Sequence, residues 1–347
     1  MSDALVRLET LGKEFAQRGQ RVTAVEGVNL DILPGEVVSL VGESGSGKTT
    51  VGRMIAGLLP PSSGRILYSG ADISKLRGAE RRAYRLGVQL IHQDPYASLN
   101  PAQRGRDILA APLKRHRLVR TLDELEVRLR KLLRSVDLTP EEETIGKFPH
   151  QLSGGQRQRL SIARALSVSP SFLVADEAVS MVDVSIRVSI LQTLKRLRDE
   201  HGLAILFITH ALALARHFAA RGRVAVMYLG RIVEVAGADD LVRNPQHPYT
   251  QALLAASPPD PLSTKPRPEP IRRQQDNLPD SLSHATGCPF GPRCARFTQG
   301  VCDIAVPLLV ATTPRHATAC TVFTRSQPNP EVRTSSVGPP QGLTLPP

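Results

Sequence analysis

Residues 42–49 read GESGSGKT, the pattern G-x-x-x-x-G-K-[ST]. Such a loop handles phosphate. Gly42, Gly45 and Gly47 let the backbone turn tightly and aim N–H groups at phosphate oxygens. Glu43, Ser44 and Ser46 fill the positions between, and Thr50 follows. Residues 42–50 are therefore the candidate nucleotide contacts. Lys48 would reach the β- and γ-phosphates, and the Thr49 hydroxyl would bind Mg2+. A second element is FLVADE, residues 172–177, an apolar stretch that ends in two carboxylates. Asp176 would hold Mg2+, directly or through water. Glu177 would polarise an attacking water as a general base. Alone, this acid pair could equally be a helix cap plus a surface charge; beside a phosphate loop the chemical role is preferred. His210 closes another apolar run, ILFITH, where it could contact the γ-phosphate and orient the water.

These residues need elements to hold them. LVRLE and AVEGVNLDI read as strands, and LPGEVVSLVG as a turn followed by a buried strand. SGKTTVGRMIAGLLP then reads as a helix ended by Pro60. The phosphate loop thus lies between strand and helix, where a helix N-terminus favours anions. Residues 95–150 are basic and punctuated by leucines. Leu122, Leu125, Leu129, Leu132, Leu133 and Val136 fall at helical spacing and predict one packed face. A helix over 154–168 precedes FLVADE. A helix over 184–200, the strand LAILFIT, and the short strands RVAVMY and RIVEVA follow it. Strands alternating with helices predict an α/β sheet. Residues 257–285 are rich in Pro, Ser and Asp and read as a linker; residues 326–347 read as a disordered tail.

Composition narrows the class. The chain has no Trp and only 4% aromatic residues, which argues against base-stacking platforms for nucleic acid. No uncharged apolar run approaches the roughly 18 residues of a membrane span. The opening MSDALVRLET has no apolar signal region, which predicts a cytosolic location. Net charge is +12, and the stretch Arg77–Arg120 carries ten Lys/Arg against three Asp/Glu. That stretch fits a solvated face, nucleic acid, anionic lipid or an acidic partner, and composition does not choose among them.

The stretch LSGGQRQR, residues 152–159, decides the family. With the phosphate loop, the acidic strand end and His210 in this order, residues 4–255 resemble an ATP-binding-cassette (ABC) ATPase. The resemblance implies a P-loop NTPase fold: a RecA-like α/β core, an antiparallel β subdomain, and an α-helical subdomain at about 95–168. It implies ATP and Mg2+ as ligands. Ser153, Gly154, Gly155 and Gln156 would contact the γ-phosphate of ATP held by an opposing cassette, so a second ATPase subunit, identical or homologous, is expected. Gln93 in IHQDP matches the glutamine that senses Mg2+ and water. Phe15 in GKEF matches the aromatic that stacks on adenine, and Asp183 in VSMVD the aspartate at the cassette interface. Lys48, Gln93, Glu177 and His210 would be the catalytic set, with Thr49, Gln93 and Asp176 around Mg2+.

A narrower resemblance rests on GESGSGK, HQDPYASLNP and NPQHPYTQALLAASP, which are similar to the oligopeptide/dipeptide importer branch. This implies two membrane-spanning permease subunits, an extracytoplasmic solute-binding protein, and a peripheral position on the cytoplasmic face of the membrane. The segment around PYASLNP would touch the permease, which gives the basic stretch a partner. The chain departs from the family at Ala178, where proline is usual, at SMVD (180–183) in place of SALD, and at Ala211, where aspartate is usual. None of these removes a group assigned to chemistry. The alternative is a soluble ABC ATPase acting on nucleic acid or ribosomes, which the positive charge would suit; the single cassette and the HPYTQALLAA stretch argue against it. A regulatory subunit that binds ATP without turnover would not need Lys48, Ser153, Glu177 and His210.

All four cysteines fall late, as Cys288-x5-Cys294-x7-Cys302-x17-Cys320, in a C-terminal extension over 287–325. Disulfides are disfavoured in a reducing compartment. The spacing matches neither the tight C-x2-C zinc pattern nor the bacterial ferredoxin run. The family resemblance implies a [4Fe-4S] cluster; Zn2+ and idle thiols remain as alternatives. A loop-rich extension with little core of its own is expected to need such a staple.

Overall fold

Alternating apolar residues at the start of the chain form a β subdomain. The computed structural model describes residues 4–17, 19–256 and 286–325; the tail at 326–347 and the expected linker at 257–285 lie outside them. Strands β1 (Val6–Gln17) and β2 (Gln20–Ile32) form a long antiparallel hairpin. After β3 (Val37–Val41) and α1 (Lys48–Ile55), β4 (Ser63–Tyr68) and β5 (Ala71–Asp72) complete this sheet in the order β2-β1-β4-β5. Helix α1 stops before Pro60. Gly57 takes a positive φ of 67°, and its N–H bonds back to Met54 O. A glycine in that conformation ends a helix by itself.

The helical subdomain follows α2 (Gly78–Gly87) and β6 (Val88–Ile91). It comprises α3 (Pro95–Ser98), α4 (Gly105–Arg115), α5 (Leu122–Ser135), α6 (Glu141–Ile145) and α7 (Gly154–Leu166). The predicted face of α5 holds at Leu125, Leu129, Leu133 and Val136, which are buried. Leu122 departs from it and is 68% exposed. It is the first helical residue, directly after the Thr121 cap, and lies beyond the edge of the packed stripe.

The second half builds the main sheet. β7 (Phe172–Asp176), α8 (Val184–His201), β8 (Ala204–Thr209), α9 (Leu212–Phe218), β9 (Arg223–Tyr228), β10 (Arg231–Gly237), α10 (Ala238–Arg243) and α11 (Pro248–Ala256) follow in turn. Strands β9, β3, β8, β7 and β6 run parallel as neighbours in that order. Strands β3, β7 and β8 are buried along their whole length, as continuous apolar runs in a sheet covered on both faces should be. Alternate residues serve two cores. Leu173, Ala175, Ile205 and Phe207 pack toward the helical side, whereas Phe172, Val174, Leu206 and Ile208 pack toward α1 and the antiparallel sheet.

The C-terminal extension corrects the expectation of a region without a core. β11 (Val310–Thr313) and β12 (His316–Thr318) add to the main sheet beyond β10, giving the order β11-β12-β10-β9-β3-β8-β7-β6, and α12 (Thr321–Arg325) follows. Phe290 is buried against Tyr228, Tyr249 and His247. Glu234, fully buried on β10, accepts from Gln246 N at 2.7 Å, from His247 N at 3.0 Å, and pairs with His316 Nε2 at 2.6 Å. One carboxylate thus joins β10, the turn before α11, and β12. These three partners satisfy a carboxylate that would be costly to bury alone.

His247 gives this junction a pH dependence. Burial pushes its pKa down to about 4, with the Glu234 charge opposing the shift, and its Nδ1 accepts from Tyr249 N at 3.0 Å. The ring is neutral in the fold and gains a proton more readily when unfolded. Its stabilising contribution is present above about pH 6.5 and is lost as pH falls from there toward 4. Urea denaturation at stepped pH should show stability falling across that window. The fall should be shallower in His247→Asn; identical slopes in the two proteins would exclude His247 as the cause.

Candidate functional site

The site forms where the parallel strands end. The phosphate loop leaves β3 and enters α1 at Lys48. Its glycines are needed for close approach. A Cβ on Gly47, which has φ 100°, would lie 2.4 Å from Ala24 O, and one on Gly42 would lie 2.0 Å from Met227 O. Gly230 N donates to Ser46 O at 3.0 Å. Strand β2 and the β9–β10 turn therefore press on the loop from two sides. Lys48 is buried, and its Nζ donates to Gly42 O at 2.8 Å, Glu43 O at 2.7 Å and Ser46 Oγ at 3.2 Å. Burial lowers its pKa, and the charges of Glu177, Asp176 and Glu43 oppose that shift.

The acidic strand end stands beside the loop. Thr49 Oγ1 donates to Asp176 Oδ1 at 3.1 Å. Burial raises the Asp176 pKa, against the pull of the Thr49 hydrogen bond. A buried carboxylate whose side chain faces a hydroxyl and a phosphate loop suits Mg2+, which favours few protein ligands together with phosphate oxygens and water. Glu177 follows in a left-handed conformation, φ 46°, with its N–H bonded to Ile208 O. Its carboxylate is held at both oxygens: Gln93 Nε2 donates to Oε2 at 2.9 Å, and His210 Nδ1 lies 3.2 Å from Oε1. Gln93, Glu177 and His210 come from the ends of β6, β7 and β8, so the sheet brings together residues spread over more than a hundred positions.

The remaining expected contacts lie elsewhere. Ser153 caps α7: its Oγ accepts from Gln156 N at 3.2 Å, and Gln156 Oε1 accepts from Ser153 N at 2.9 Å. Gly154 opens the helix and Gly155 is buried, where a Cβ would come 2.7 Å from Ile186 Cγ2. Asp183 caps α8 through its backbone alone and is exposed. Among the described residues, no hydrogen bond joins 153–156 or Asp183 to the phosphate loop. Phe15 is 40% exposed on β1, opposite Val22 of β2, two residues before Ala24 reaches Gly47.

The four cysteines are brought to one small cavity, which His247, Phe290 and Phe297 also line. Burial pushes the Cys288 thiol up to about 11, and the other three thiols push it the same way; Cys294 and Cys320 are raised too. Among the described residues, no group of three or more His, Cys, Asp or Glu side chains is placed to hold a metal ion.

Two residues at the loop were not expected. Tyr249 Oη accepts from Glu43 N at 2.8 Å, and Arg293 grips the Glu43 carboxylate with two hydrogen bonds, at 3.0 and 2.9 Å. Both lie in stretches, HPYT and CPFGPRC, whose sequence pointed to a branch of the family and to sulfur chemistry instead.

A phosphate loop, a carboxylate beside its threonine, and a capped glycine-rich helix on a separate subdomain define a nucleotide-binding cassette of the ABC type. Comparison with known proteins agrees. Residues 25–180 match the family described as ABC transporter, and residues 233–302 that described as oligopeptide/dipeptide transporter, C-terminal region. A probable peptide ABC transporter ATP-binding protein of Sinorhizobium fredii is 42% identical over 93% of this chain and 91% of its own length. The oligopeptide transport ATP-binding protein AppF of Bacillus subtilis is 39% identical over 89% and 92%. A dimeric post-hydrolysis structure of the cassette MJ0796, bound to ADP and Pi, superposes with TM-score 0.61 at 30% identity, covering 67% of this chain and 98% of that one. The chain belongs to the ABC transporter ATP-binding proteins, in the oligopeptide/dipeptide transporter family.

The contact at Gly47 sets an expectation. Gly47→Ala adds a Cβ against a backbone carbonyl at a positive φ, so β2 or the loop must shift. Affinity for ATP should fall by at least about ten-fold, since the loop's N–H groups lose their aim. Equilibrium titration with a fluorescent ATP analogue checks this, and unchanged affinity would show that the loop tolerates the displacement.

Proposed function

We propose that this chain is the ATP-hydrolysing subunit of an importer for oligopeptides, dipeptides or a related small solute, peripheral to the cytoplasmic face of the membrane. The observation that carries the catalytic part is Glu177, fixed between Gln93 and His210 beside the phosphate loop. The curated relatives, named as peptide and oligopeptide transport proteins, support the substrate class. Among the described residues, no helix is long and apolar enough to cross a membrane. Two permease subunits would supply the path, and an extracytoplasmic binding protein the solute.

In this reading, ATP replaces the internal partners of Lys48. The ammonium leaves Gly42 O and Glu43 O for β- and γ-phosphate oxygens, and the loop's N–H groups cradle the rest. Thr49 and Asp176, with Gln93 nearby, would hold Mg2+, which would supply charge neutralisation at the phosphates. Phe15 stacks on adenine. Glu177 accepts a proton from the water that attacks the γ-phosphorus, Gln93 keeps the carboxylate aimed, and His210 contacts the γ-phosphate. Ser153–Gln156 and Asp183 act on the opposing site of a second cassette, identical or homologous. All but Arg106 of the basic side chains from Arg77 to Arg120 are exposed, available to the permease and to anionic lipid. Glu177→Gln should reduce ATP turnover by about a hundred-fold or more while ATP still binds. Retained turnover would remove Glu177 from the role of base.

The cysteine cavity supports a finer proposal. Burial and the neighbouring thiols raise Cys288, Cys294 and Cys320, and a cationic centre would reverse that by holding them as thiolates. The four cysteines line one small cavity, and four cysteine thiolates are the ligand set of a [4Fe-4S] cluster. Cys288, Cys294, Cys302 and Cys320 would hold it, and it would supply a rigid crosslink. Anaerobically purified protein should contain about four irons and four acid-labile sulfides per chain, lost in Cys294→Ser. Zinc, or no metal, would end this proposal and leave the ATPase untouched.

A further inference from the structure

The C-terminal extension reaches the phosphate loop, and its contact there is built rather than incidental. Residue Glu43 is held at every polar group it has. Its N–H donates to Tyr249 Oη at 2.8 Å, its carbonyl accepts from Lys48 Nζ at 2.7 Å, and its two carboxylate oxygens accept from Arg293 Nη1 and Nη2 at 3.0 and 2.9 Å. Isolated surface ion pairs contribute little. This one is a bidentate fork with side-chain exposures of 22% and 34%, and its arginine is itself restrained. The Arg293 guanidinium lies 5.8 Å from the Tyr228 ring centre and 5.7 Å from that of Phe290. Arg293 sits on a short turn over Gly291–Arg293, closed by Gly291 N to Cys288 O at 2.8 Å and Cys294 N to Gly291 O at 3.0 Å. Phe290, just before the turn, is locked among Tyr228, Tyr249 and His247.

The charge of Glu43 makes the contact matter. Glu43 occupies the second position of the loop, close enough to Lys48 for its carboxylate to act on that ammonium. An unpaired carboxylate there would face the anionic phosphates. Arg293 pairs with that carboxylate at both oxygens and offsets its charge.

We propose that Arg293 is a positioning residue of the ATP site, acting through Glu43, so that the cysteine-bearing extension forms an outer brace of the phosphate loop. This rests on the reading that residues 42–50 hold ATP. Binding rather than chemistry should depend on the brace, because neither side chain touches Glu177 or the strand ends that hold the water-activating groups.

The test uses the full-length chain, with a fluorescent ATP analogue for Kd and steady-state ATPase assays for KM and kcat. Arg293→Ala should raise Kd and KM by about five- to ten-fold, with kcat changing less than about two-fold. Adding Glu43→Gln to that variant removes the uncompensated acid while the loop's backbone N–H groups stay, and should lower Kd at least about three-fold from that of Arg293→Ala. If Arg293→Ala unfolds the extension, as read by its melting curve, Arg293→Gln keeps the stem against Phe290 and serves the same comparison. Wild-type Kd in the arginine variants overturns the proposal. A raised Kd that Glu43→Gln fails to lower also overturns it, because the arginine would then act through packing alone. Lys48→Ala separates the two readings. If it binds the analogue as the parent does, the loop is not the ATP site and both readings fall. If it loses binding while Arg293→Ala keeps it, only the brace falls.

Discussion

The register of the parallel strands is the constraint on which the site depends. Val41 pairs with Thr209, Asp176 with Ile208, and Ile91 with Ala175. Because these strands run the same way, their C-terminal ends fall on one edge, and the residues just beyond them meet there. A slip of one residue in β7 would turn Asp176 to the opposite face and carry Thr49's partner out of reach. The continuous burial of β3, β7 and β8 prevents such a slip, because alternate side chains are committed to two different cores. Apolar packing, which has no chemistry of its own, thus sets the geometry of the polar groups.

Electrostatics then acts within that geometry. Lys48 and Asp176 are both buried, and burial pushes each toward its neutral form. Their mutual attraction and the hydrogen bond from Thr49 oppose that. An anionic phosphate and a divalent cation would complete the set of charges, and the proposed ligands are the ones this imbalance calls for. The cysteine cavity follows the same logic with the opposite sign: several groups that resist ionisation together are a place where one positive centre changes the state of all.

Legibility in the sequence followed from chemistry more than from distance along the chain. Gly42–Thr50, Asp176 and Glu177 stood out as candidates because phosphate and metal binding demand fixed residue types at fixed spacing, and the fold brings Thr49 and Asp176 together. That the core is an α/β sheet could be read from its apolar runs alternating with helices; the order of its strands could not. The grip of Arg293 on Glu43 spans 250 residues and could not, because a single arginine in a turn carries no period and no motif. The helix ending at Gly57 was read too late because Pro60 is the louder signal, although glycine suffices. The extension seemed to lack a core because its β12 strand is only three residues long. Its stability comes from borrowing the edge of β10 and the carboxylate of Glu234, and sequence alone cannot show which edge a short strand will join.

The same kind of bond ties the other half of the molecule together. The Arg157 guanidinium stacks 3.8 Å from the centre of the Tyr96 ring and its Nε donates to Leu152 O at 2.9 Å, while Arg164 donates to Ser98 O. Helix α3 is therefore fastened to α7, the helix that Ser153 caps. In the proposed transporter α3 faces the permease and the start of α7 faces ATP on the opposing cassette, so a push on the first moves the second as one body. The phosphate loop is fastened differently, to the β9–β10 turn, to Tyr249 and to Arg293. In that proposed transporter, motion of α3 and α7 would carry residues 153–156 toward or away from an opposing nucleotide while each loop keeps its own grip. A cassette that divides its rigid contacts this way can open and close at the shared site without loosening the site it holds alone.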